Sequence, residues 1–221
     1  MTIALGAIVG YLLGSISVAR IVASRVVPDE DDWITTYEVG EDYSTTADGL
    51  SPGAVGMRAG PRYGGLSTLG DMAKAALAVG LAWWLLGREA AAAAGAGAVV
   101  GHIWPVYHRF KGAFGLSPII GASLVLSPLA APFAVVAGAL AAWVVVDISV
   151  MTVFWPLFLV VWGWLFSDPA FVWFAAVANG AYLVRMWPQI RQRIDYRRTE
   201  RPGVARRARE ILAGYRSNPF A

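Results

Sequence analysis

Long apolar runs separated by short polar connections dominate the chain. Runs such as "LAVGLAWWLLG" and "VMTVFWPLFLVVWGWLF" show neither the alternation of a half-buried strand nor the polar face of a surface helix. A membrane-spanning helix needs about 20 mostly apolar residues, and several of these runs reach that length. The pattern therefore predicts an all-α, polytopic membrane protein. The apolar segments lie at residues 2–26, 65–86, 90–107, 116–127, 129–146, 149–166 and 169–187.

The fourth segment, 116–127, leaves the number of spans open. It has about half the usual length of a span and ends at a Ser-Pro pair. It either forms a helix of its own or fuses with the fifth segment into one long, kinked helix. The first arrangement gives seven spans and the second gives six.

The distribution of arginine and lysine favours seven spans. The connections after the first and third segments and the C-terminal tail are rich in Arg and Lys, whereas residues 87–89, 127–128 and 167–169 contain one Arg between them. Cytoplasmic loops carry the excess of positive charge. Because two odd-numbered connections and the tail are then cytoplasmic, we expect about seven spans, with the N-terminus outside and the C-terminus inside a bacterial plasma membrane.

The amino-acid composition also indicates a membrane protein. Of 221 residues, 57% are hydrophobic and only 15% are charged, whereas a soluble domain has about 25% charged residues. The chain has no cysteine, which excludes disulfides and thiolate metal sites. The first segment lacks the basic start of a signal peptide, so we expect it to be a retained span.

Two polar stretches interrupt or follow the apolar segments. Residues 28–49 contain eight acidic residues and no Lys or Arg, which is typical of a solvated, partly mobile loop; a metal site or a partner surface is the alternative. Residues 191–221 form a basic tail that suits anionic lipid headgroups, and they carry no nucleic-acid recognition motif. We therefore expect one integral membrane domain, 1–190, with this tail, and no nucleic-acid partner.

Charged residues inside spans are costly and need an explanation. Asp71 and Lys74 are three residues apart and share a helix face, so they form either a structural ion pair or part of a polar site. His102 lies about one helical turn before a loop that contains Lys111, Gly112 and Gly115. Flexible glycines with a nearby cation are typical of phosphate binding, because backbone N–H groups and an ammonium hold anions.

A second glycine-containing loop, residues 48–58, lies on the same predicted face. It ends in Arg58, whose planar guanidinium suits a phosphate. Each loop alone is a weak signal. Together they indicate a phosphorylated substrate at the cytoplasmic surface of the membrane.

The chain resembles the bacterial acyl-phosphate:glycerol-3-phosphate acyltransferases, integral membrane enzymes of phospholipid synthesis. The resemblance implies seven spans, cytoplasmic catalytic loops, and acyl transfer from acyl-phosphate to glycerol 3-phosphate without a cofactor or metal. The matching motifs run in order over most of the chain: "YLLGSIS" (11–17), "SPGAVGMR" (51–58), "DMAK" (71–74), "GHIWPVYHRFKG" (101–112) and "DISV" (147–150).

The resemblance also implies roles for individual residues. His102 and Lys111 match catalytic positions, with His102 orienting the reacting groups or exchanging a proton with them and Lys111 holding phosphate. The positions that match substrate-binding residues are Ser51, Gly53, Arg58, Gly112, Ser149 and Gln189.

Several positions depart from the family pattern. Ser51 and Gly56 stand where the family has asparagine, and Val55 where it has threonine. Phe114 replaces a second lysine, and Pro118 replaces a threonine. These losses leave open a relative that binds lipid or phosphate without turnover. The charged pair Asp71 and Lys74 offers a third interpretation, a small transporter.

The topology can be tested directly. Residues 28–64, 108–115 and 188–221 should all be cytoplasmic, so cysteines introduced at Thr45, Ala113 and Ser217 should resist an impermeant thiol reagent added outside intact cells. Labelling of the second loop from outside would contradict the seven-span topology.

Overall fold

The computed structural model describes residues 1–27, 34–40, 43–48, 50–145 and 155–200. Within these ranges the chain forms nine α-helices, one short 3-10 turn and one hairpin. The helices are α1 (Thr2–Gly14), α2 (Val18–Val26), α3 (Pro52–Ala59), α4 (Pro61–Leu86), α5 (Arg88–Ile103), α6 (Leu116–Leu126), α7 (Ala130–Val145), α8 (Leu157–Phe166) and α9 (Pro169–Glu200), with strands β1 (Ile34–Gly40) and β2 (Tyr43–Asp48) and the 3-10 turn Val106–His108.

The helical framework agrees with the apolar segments, with differences at their ends. The first segment is divided into α1 and α2 by a break at residues 15–17. The fourth and fifth segments are separate helices, α6 and α7, so the fused, kinked alternative is not formed. Helix α9 continues through the start of the basic tail to Glu200.

The acidic insertion adds the two strands, which the sequence analysis did not predict. Strands β1 and β2 pair antiparallel, with Ile34 opposite Asp48 and Tyr37 opposite Thr45. Threonine, tyrosine and valine in "ITTYEVG" and "YSTTAD" have high β-propensity, which explains why this polar stretch pairs as strands. Strand β2 contacts α9. Over the described ranges the fold is therefore all-α except for this hairpin.

Two helical stretches are long and apolar enough to cross a membrane by length and composition. They are Thr2–Val26, interrupted by the break between α1 and α2, and Pro61–Leu86. Three further apolar helical stretches are shorter: Leu116–Leu126, Ala130–Trp143 and Leu157–Phe166. The count of seven spans stays a prediction.

Large apolar side chains lie outside the bundle and small ones inside it. Trp84 is 80% exposed, and Trp143 and Trp164 are each 78% exposed. The interior contains many fully buried alanines, including Ala75 and Ala98. Exposed aromatic surface of this extent indicates a lipid environment, because soluble monomers rarely expose large apolar patches. Small residues inside allow the helix backbones to approach closely.

The closest approach joins α1 to α5. A Cβ atom added at any of three α1 glycines, spaced four residues apart, would overlap a backbone carbonyl of α5. Helix α5 contributes its own glycines: Gly97 lies against Ala7, and Gly101 against Tyr11. The two backbones therefore touch along most of α1. The three glycine–alanine pairs are Gly6–Ala90, Gly10–Ala94 and Gly14–Ala98.

Polar contacts join three short connections at the opposite end of the bundle from the second loop. Arg88 pairs with Asp168 and donates to the Leu126 carbonyl at 3.0 Å. Trp162 donates to the Ser127 hydroxyl at 2.9 Å. Partial burial acts to raise the pKa of Asp168, but the hydrogen bond and charge of Arg88, together with the backbone N–H groups of Phe171 and Ala170, outweigh it and hold that pKa below its ordinary value.

The second loop offers a better topology reporter than Ala113. Ala113 is buried, whereas Tyr107 in the same loop is 56% exposed. Ser217 lies outside the described residues. A cysteine at Tyr107 therefore gives the clearer readout of which side this loop faces.

The glycine contact predicts a sharp difference between two matched substitutions. Gly10→Ala should destabilise the protein by about 1–3 kcal/mol, because its new methyl group overlaps the carbonyl of Ala94. Gly80→Ala, on α4 with open space around it, should leave stability equal or raise it by about 0.5–1 kcal/mol. Thermal unfolding of both variants in the same detergent measures the difference. Equal melting temperatures would show that α1 and α5 do not approach this closely.

Candidate functional site

Lys74 lies at the centre of a buried polar cluster. Its Nζ is 2.8 Å from Oδ1 of Asp71, 2.5 Å from the backbone carbonyl oxygen of Ile16 and 3.0 Å from Nδ1 of His102. Asp71 is fully buried and His102 is 5% exposed. The contact with Asp71 is an ion pair and the other two are hydrogen bonds; neither carboxylate oxygen of Asp71 has a hydrogen-bond partner among the described residues. Lys74 thus joins α4, α5 and the break between α1 and α2.

These contacts define the tautomer of His102. The Lys74 ammonium can only donate, so Nδ1 of His102 accepts and the ring proton of neutral His102 is on Nε2. The Nδ1 atom is also 3.6 Å from Oδ1 of Asp71. Nε2–H is therefore the donor that His102 can offer to a ligand. With its proton on Nε2, His102 cannot accept a proton at that atom.

The break after α1 supplies one of the ligands of Lys74. Outside regular helix, the Ile16 carbonyl is available to the ammonium. The Ser15 hydroxyl donates to the Tyr11 carbonyl at 2.8 Å and accepts from the Val106 N–H at 3.4 Å. The Tyr11 hydroxyl donates to the Trp104 carbonyl at 2.8 Å. The break is thereby attached to the start of the second loop.

The second loop has a strained backbone. Arg109 (φ 52°) and Phe110 (φ 62°) are both in the left-handed region, which non-glycine residues rarely adopt. Each such residue costs about 1–3 kcal/mol and persists only where the surroundings hold it. Backbone hydrogen bonds hold this turn: Phe110 N–H donates to the Pro105 carbonyl at 3.0 Å, and Lys111 N–H to the His108 carbonyl at 3.1 Å.

Gly112 seats the loop on the end of α5. A Cβ there would overlap the His102 carbonyl and lie 2.7 Å from the Ile103 carbonyl and 2.6 Å from Cδ of Pro105. No side chain fits in that space. Glycine is therefore required for the loop to lie directly over the helix end that carries His102.

Two arginines from distant parts of the chain bind neighbouring carbonyls of this loop. Arg20 of α2 donates through Nη2 to the Lys111 carbonyl at 3.1 Å, and Arg185 of α9 donates to the Gly112 carbonyl at 3.3 Å. The Arg185 guanidinium carbon is 5.5 Å from the centre of the Phe114 ring, within the range of a cation–π contact. The Lys111 side chain is exposed.

Positive charge is concentrated around the loop. Burial, followed by the nearby cations Arg20 and Lys74, lowers the pKa of His108 below its ordinary value. A lowered pKa means that the neutral form of His108 persists to lower pH. Burial disfavours charge of either sign, but the contribution of Arg20 and Lys74 to this shift reflects positive charge, which favours an anion.

The first loop is largely helical. The predicted glycine-containing loop 48–58 forms α3, and the Ser51 hydroxyl caps it by accepting from the Ala54 N–H at 3.1 Å. Gly53 is the second residue of α3 and is exposed, as is Arg58 in its last turn. Residues after the first turn of this helix use their N–H groups within it, whereas Gly53 lies in that first turn.

The remaining predicted site residues fall in different places. Gln189 is buried on α9, one helical turn beyond Arg185, and its Oε1 has no hydrogen-bond partner among the described residues. Ser149 lies outside the described residues. The structure brings together His102, Gly112 and the backbone of Lys111. It leaves the side chains of Lys111 and Arg58 exposed.

Sequence reasoning missed two contributions to this site, those of Arg20 and Arg185. For Lys74 it left open an ion pair or a polar site, and Lys74 contacts both Asp71 and His102. Arg20 and Arg185 were used only to orient the chain in the membrane. The available signal was their position, since both lie in or next to a predicted apolar segment, where an arginine needs a partner.

No group of three or more metal-ligating side chains occurs in the part of the chain that the structure describes. The described site is a cluster of cations and backbone carbonyls around one buried histidine. Such an arrangement can bind anionic oxygen atoms.

The fold and this site define a multi-pass integral membrane protein with a cationic polar site at one end of a helix bundle. The sequence profile of the glycerol-3-phosphate acyltransferases matches residues 4–195. The chain therefore belongs to the glycerol-3-phosphate acyltransferase family.

Individual relatives agree with this assignment. Glycerol-3-phosphate acyltransferase 1 of Dehalococcoides mccartyi is 37% identical over 125 residues, 55% of this chain and 54% of that protein. The glycerol-3-phosphate acyltransferase of Neisseria meningitidis is 38% identical over 130 residues, 56% of this chain and 58% of that protein. The chain thus spans little more than half the length of these relatives.

A solved structure has the same fold. It is the glycerol 3-phosphate form of PlsY, an integral membrane glycerol 3-phosphate acyltransferase. The similarity covers 89% of this chain and 94% of that protein, with a TM-score of 0.72 and 20% identity. At this identity the similarity establishes the fold.

The Lys74 cluster predicts strong coupling between two substitutions. Lys74→Met should lower the free energy of unfolding by about 3–5 kcal/mol, because it leaves the Asp71 carboxylate buried without its cation. The double variant Asp71→Asn/Lys74→Met removes both charges and should recover most of that loss. Thermal unfolding of the single and double variants measures the coupling energy between positions 71 and 74. A Lys74→Met variant as stable as the unmodified protein would show that this ion pair is not buried.

Proposed function

We propose that this protein transfers an acyl group from an acyl-phosphate to the 1-hydroxyl of glycerol 3-phosphate. The products are lysophosphatidic acid and phosphate. The hydroxyl oxygen forms a bond to the acyl carbon, and the bond from that carbon to the phosphate oxygen breaks. Since the acyl-phosphate is already activated, the reaction needs no cofactor and no acyl-enzyme.

The observation that carries the proposal is the buried His102–Lys74 pair beneath a cationic loop, in a chain that belongs to this family. Both substrates are phosphates, and positioning two anions is the main task in this transfer. Arg20 and Arg185 donate to the carbonyls of the loop that Gly112 brings onto His102, and Lys74 orients His102 through Nδ1.

The tautomer of His102 suggests its role. With a proton on Nε2, His102 donates a hydrogen bond to phosphate or to the oxygen that becomes negative in the transition state. Preorganised donors of this kind contribute about 2.7–4 kcal/mol each to lowering a barrier. The hydroxyl proton of glycerol 3-phosphate then leaves with the departing phosphate, which is a stronger base than the Nε2–H group.

The other predicted residues take binding roles under this proposal. Lys111 holds phosphate, and Arg58 binds glycerol phosphate from the end of α3. Ser51, Gly53 and Gly112 place backbone and hydroxyl groups at the two loops. Ser149 contributes a hydroxyl and Gln189 an amide, and the buried Oε1 of Gln189 can accept a hydrogen bond from a substrate hydroxyl.

We also propose that the site faces the cytoplasm. Seven spans place the N-terminus outside and the basic tail inside. Charged, water-soluble glycerol 3-phosphate can then reach the site from the cytoplasm, and acyl chains can reach it from the membrane.

The second candidate is a relative that binds phosphate or lipid without turnover. Its support is the substitution of family lysine and asparagine positions by Phe114 and Ser51. Each charged hydrogen bond lost costs about 1.5–3 kcal/mol. Purified protein in nanodiscs, given labelled acyl-phosphate and glycerol 3-phosphate, separates the two functions. Labelled lysophosphatidic acid supports the acyltransferase, and binding of glycerol 3-phosphate without product supports the second candidate.

Two substitutions test the proposed catalytic residues. Lys111→Ala should abolish transfer, and His102→Ala should reduce it at least tenfold, which is a loss of about 1.4 kcal/mol of transition-state stabilisation. Arg109→Asn is a control in the same loop, since asparagine tolerates the left-handed backbone of Arg109 while removing a charge. It should change the rate less than threefold. Full activity of Lys111→Ala or His102→Ala would contradict the assignment of the catalytic loop.

A further inference from the structure

We propose that Lys74 is a positioning residue that makes the buried His102 a hydrogen-bond donor, because its ammonium takes the place that a carboxylate has in an Asp–His pair. This role rests on the acyl transfer proposed above and assigns a task to two buried charges, Asp71 and Lys74, that the transfer itself does not use. It also defines the group that Nε2 of His102 receives, which is an anionic oxygen of a phosphate.

A buried histidine can be held in two opposite ways. When a carboxylate accepts from Nδ1–H, Nε2 keeps its lone pair and can act as a general base. When a cation donates to Nδ1, the proton of the neutral ring is on Nε2, and the ring acts there as a hydrogen-bond donor. The partner of Nδ1 therefore decides which chemistry the ring can perform.

Both kinds of partner lie beside His102, and the cation is the nearer one. Nδ1 is 3.0 Å from Nζ of Lys74 and 3.6 Å from Oδ1 of Asp71. Nζ is in turn 2.8 Å from that same carboxylate oxygen. The ammonium thus contacts both groups, whereas 3.6 Å is too long for a direct hydrogen bond between the imidazole and the carboxylate. The three residues form an Asp–His pair whose polarity Lys74 reverses.

The fold holds the ammonium in this place. The Lys74 side chain is 10% exposed, and Asp71 is fully buried three residues earlier on α4. The Ile16 carbonyl, in the break between α1 and α2, accepts from Nζ at 2.5 Å. Pairing and hydrogen bonding of this kind are the conditions under which a buried charge is tolerated. Without the ammonium, Oδ1 of Asp71 would be the acceptor left for a proton on Nδ1.

The Nε2–H group of His102 has no acceptor among the described residues. His102 keeps 5% exposure in the last turn of α5, and a nearly buried donor without an acceptor is costly. The loop that Gly112 seats on the His102 carbonyl also contains Arg109 and Lys111. Cations beside a neutral donor favour an anionic acceptor, so this environment fits a phosphate oxygen.

The tautomer of His102 can be measured on the purified full chain in nanodiscs. The chain has two histidines, so ring nitrogen-15 labelling gives two sets of signals, and His108→Gln assigns them. In the unmodified protein in alkaline buffer, Nε2 of His102 should carry the proton. In Lys74→Met the proton should move to Nδ1, which then donates to Asp71. Lys74→Arg keeps a cation and should keep the proton on Nε2.

The double variant Asp71→Asn/Lys74→Met separates positioning from folding, since it should recover most of the stability that Lys74→Met loses. The asparagine amide can both donate to Nδ1 and accept from it, so both tautomers of His102 should appear. The kcat/KM for glycerol 3-phosphate should stay about tenfold or more below that of the unmodified protein. A purely structural ion pair predicts instead that activity returns together with the melting temperature.

Arg88→Met is the matched control. It removes the cation of an ion pair, as Lys74→Met does, but Arg88 pairs with Asp168 at the opposite end of the bundle from His102. This variant should lower the melting temperature and leave the His102 tautomer unchanged. Its kcat/KM should stay within about threefold of the unmodified value.

Inorganic phosphate tests the donor role without turnover. In the unmodified protein it should shift the Nε2 signal of His102 more than the Nδ1 signal, because only Nε2–H can donate to it. Sodium chloride at equal ionic strength should cause no such shift, and Lys74→Met should lose the shift caused by phosphate. If the shift occurs but no acyl transfer does, the proposed reaction fails and the role of Lys74 stands.

Three results would overturn the proposal. A proton on Nδ1 in the unmodified protein would make His102 a base held by Asp71. A proton that stays on Nε2 in folded Lys74→Met would show that Lys74 does not set the tautomer. Unmodified kcat/KM in the double variant would make the ion pair structural, and that variant decides the matter if Lys74→Met does not fold.

Discussion

The close contact between α1 and α5 determines where the polar site forms. Between helices in lipid there is little hydrophobic driving force, so packing and hydrogen bonds hold the bundle together. Glycines on both helices let the backbones touch, and Gly14 and Gly101 bring the end of α1 beside the end of α5. The Ile16 carbonyl consequently reaches Lys74 next to His102. A bulkier residue along α1 would separate the helices and with them the groups that bind Lys74.

The cost of burying charge explains why Lys74 has three close partners. A charge within a membrane protein is tolerated when it is paired and hydrogen-bonded. Lys74 satisfies this with one carboxylate, one carbonyl and one imidazole nitrogen. At the opposite end of the bundle, Arg88 and Asp168 form a pair that is partly exposed. The first pair orients a histidine in the interior, whereas the second joins connections at the surface.

Much of the framework could be predicted from the sequence, because apolar length and local spacing decide it. The apolar segments predict most of the helices, and the spacing of Asp71 and Lys74 predicts that they can form an ion pair. The break between α1 and α2, the helix α3 and the hairpin were not predicted. Short polar stretches allow several local conformations, and tertiary contacts select among them. The Arg185 contact with Gly112 could not be predicted at all, since no local pattern relates residues so far apart.

The conformation of the strained second loop depends on both local and tertiary contacts. Arg109 and Phe110 adopt a backbone that their side chains disfavour, and the local hydrogen bonds of the turn offset only part of that cost. The arginine bonds to Lys111 and Gly112 attach the next two residues to α2 and α9. Gly112 then allows the loop to rest on the His102 carbonyl, where any side chain would hold it away. The loop conformation is therefore a property of the assembled bundle, and the same contacts that stabilise it place cations over the buried histidine.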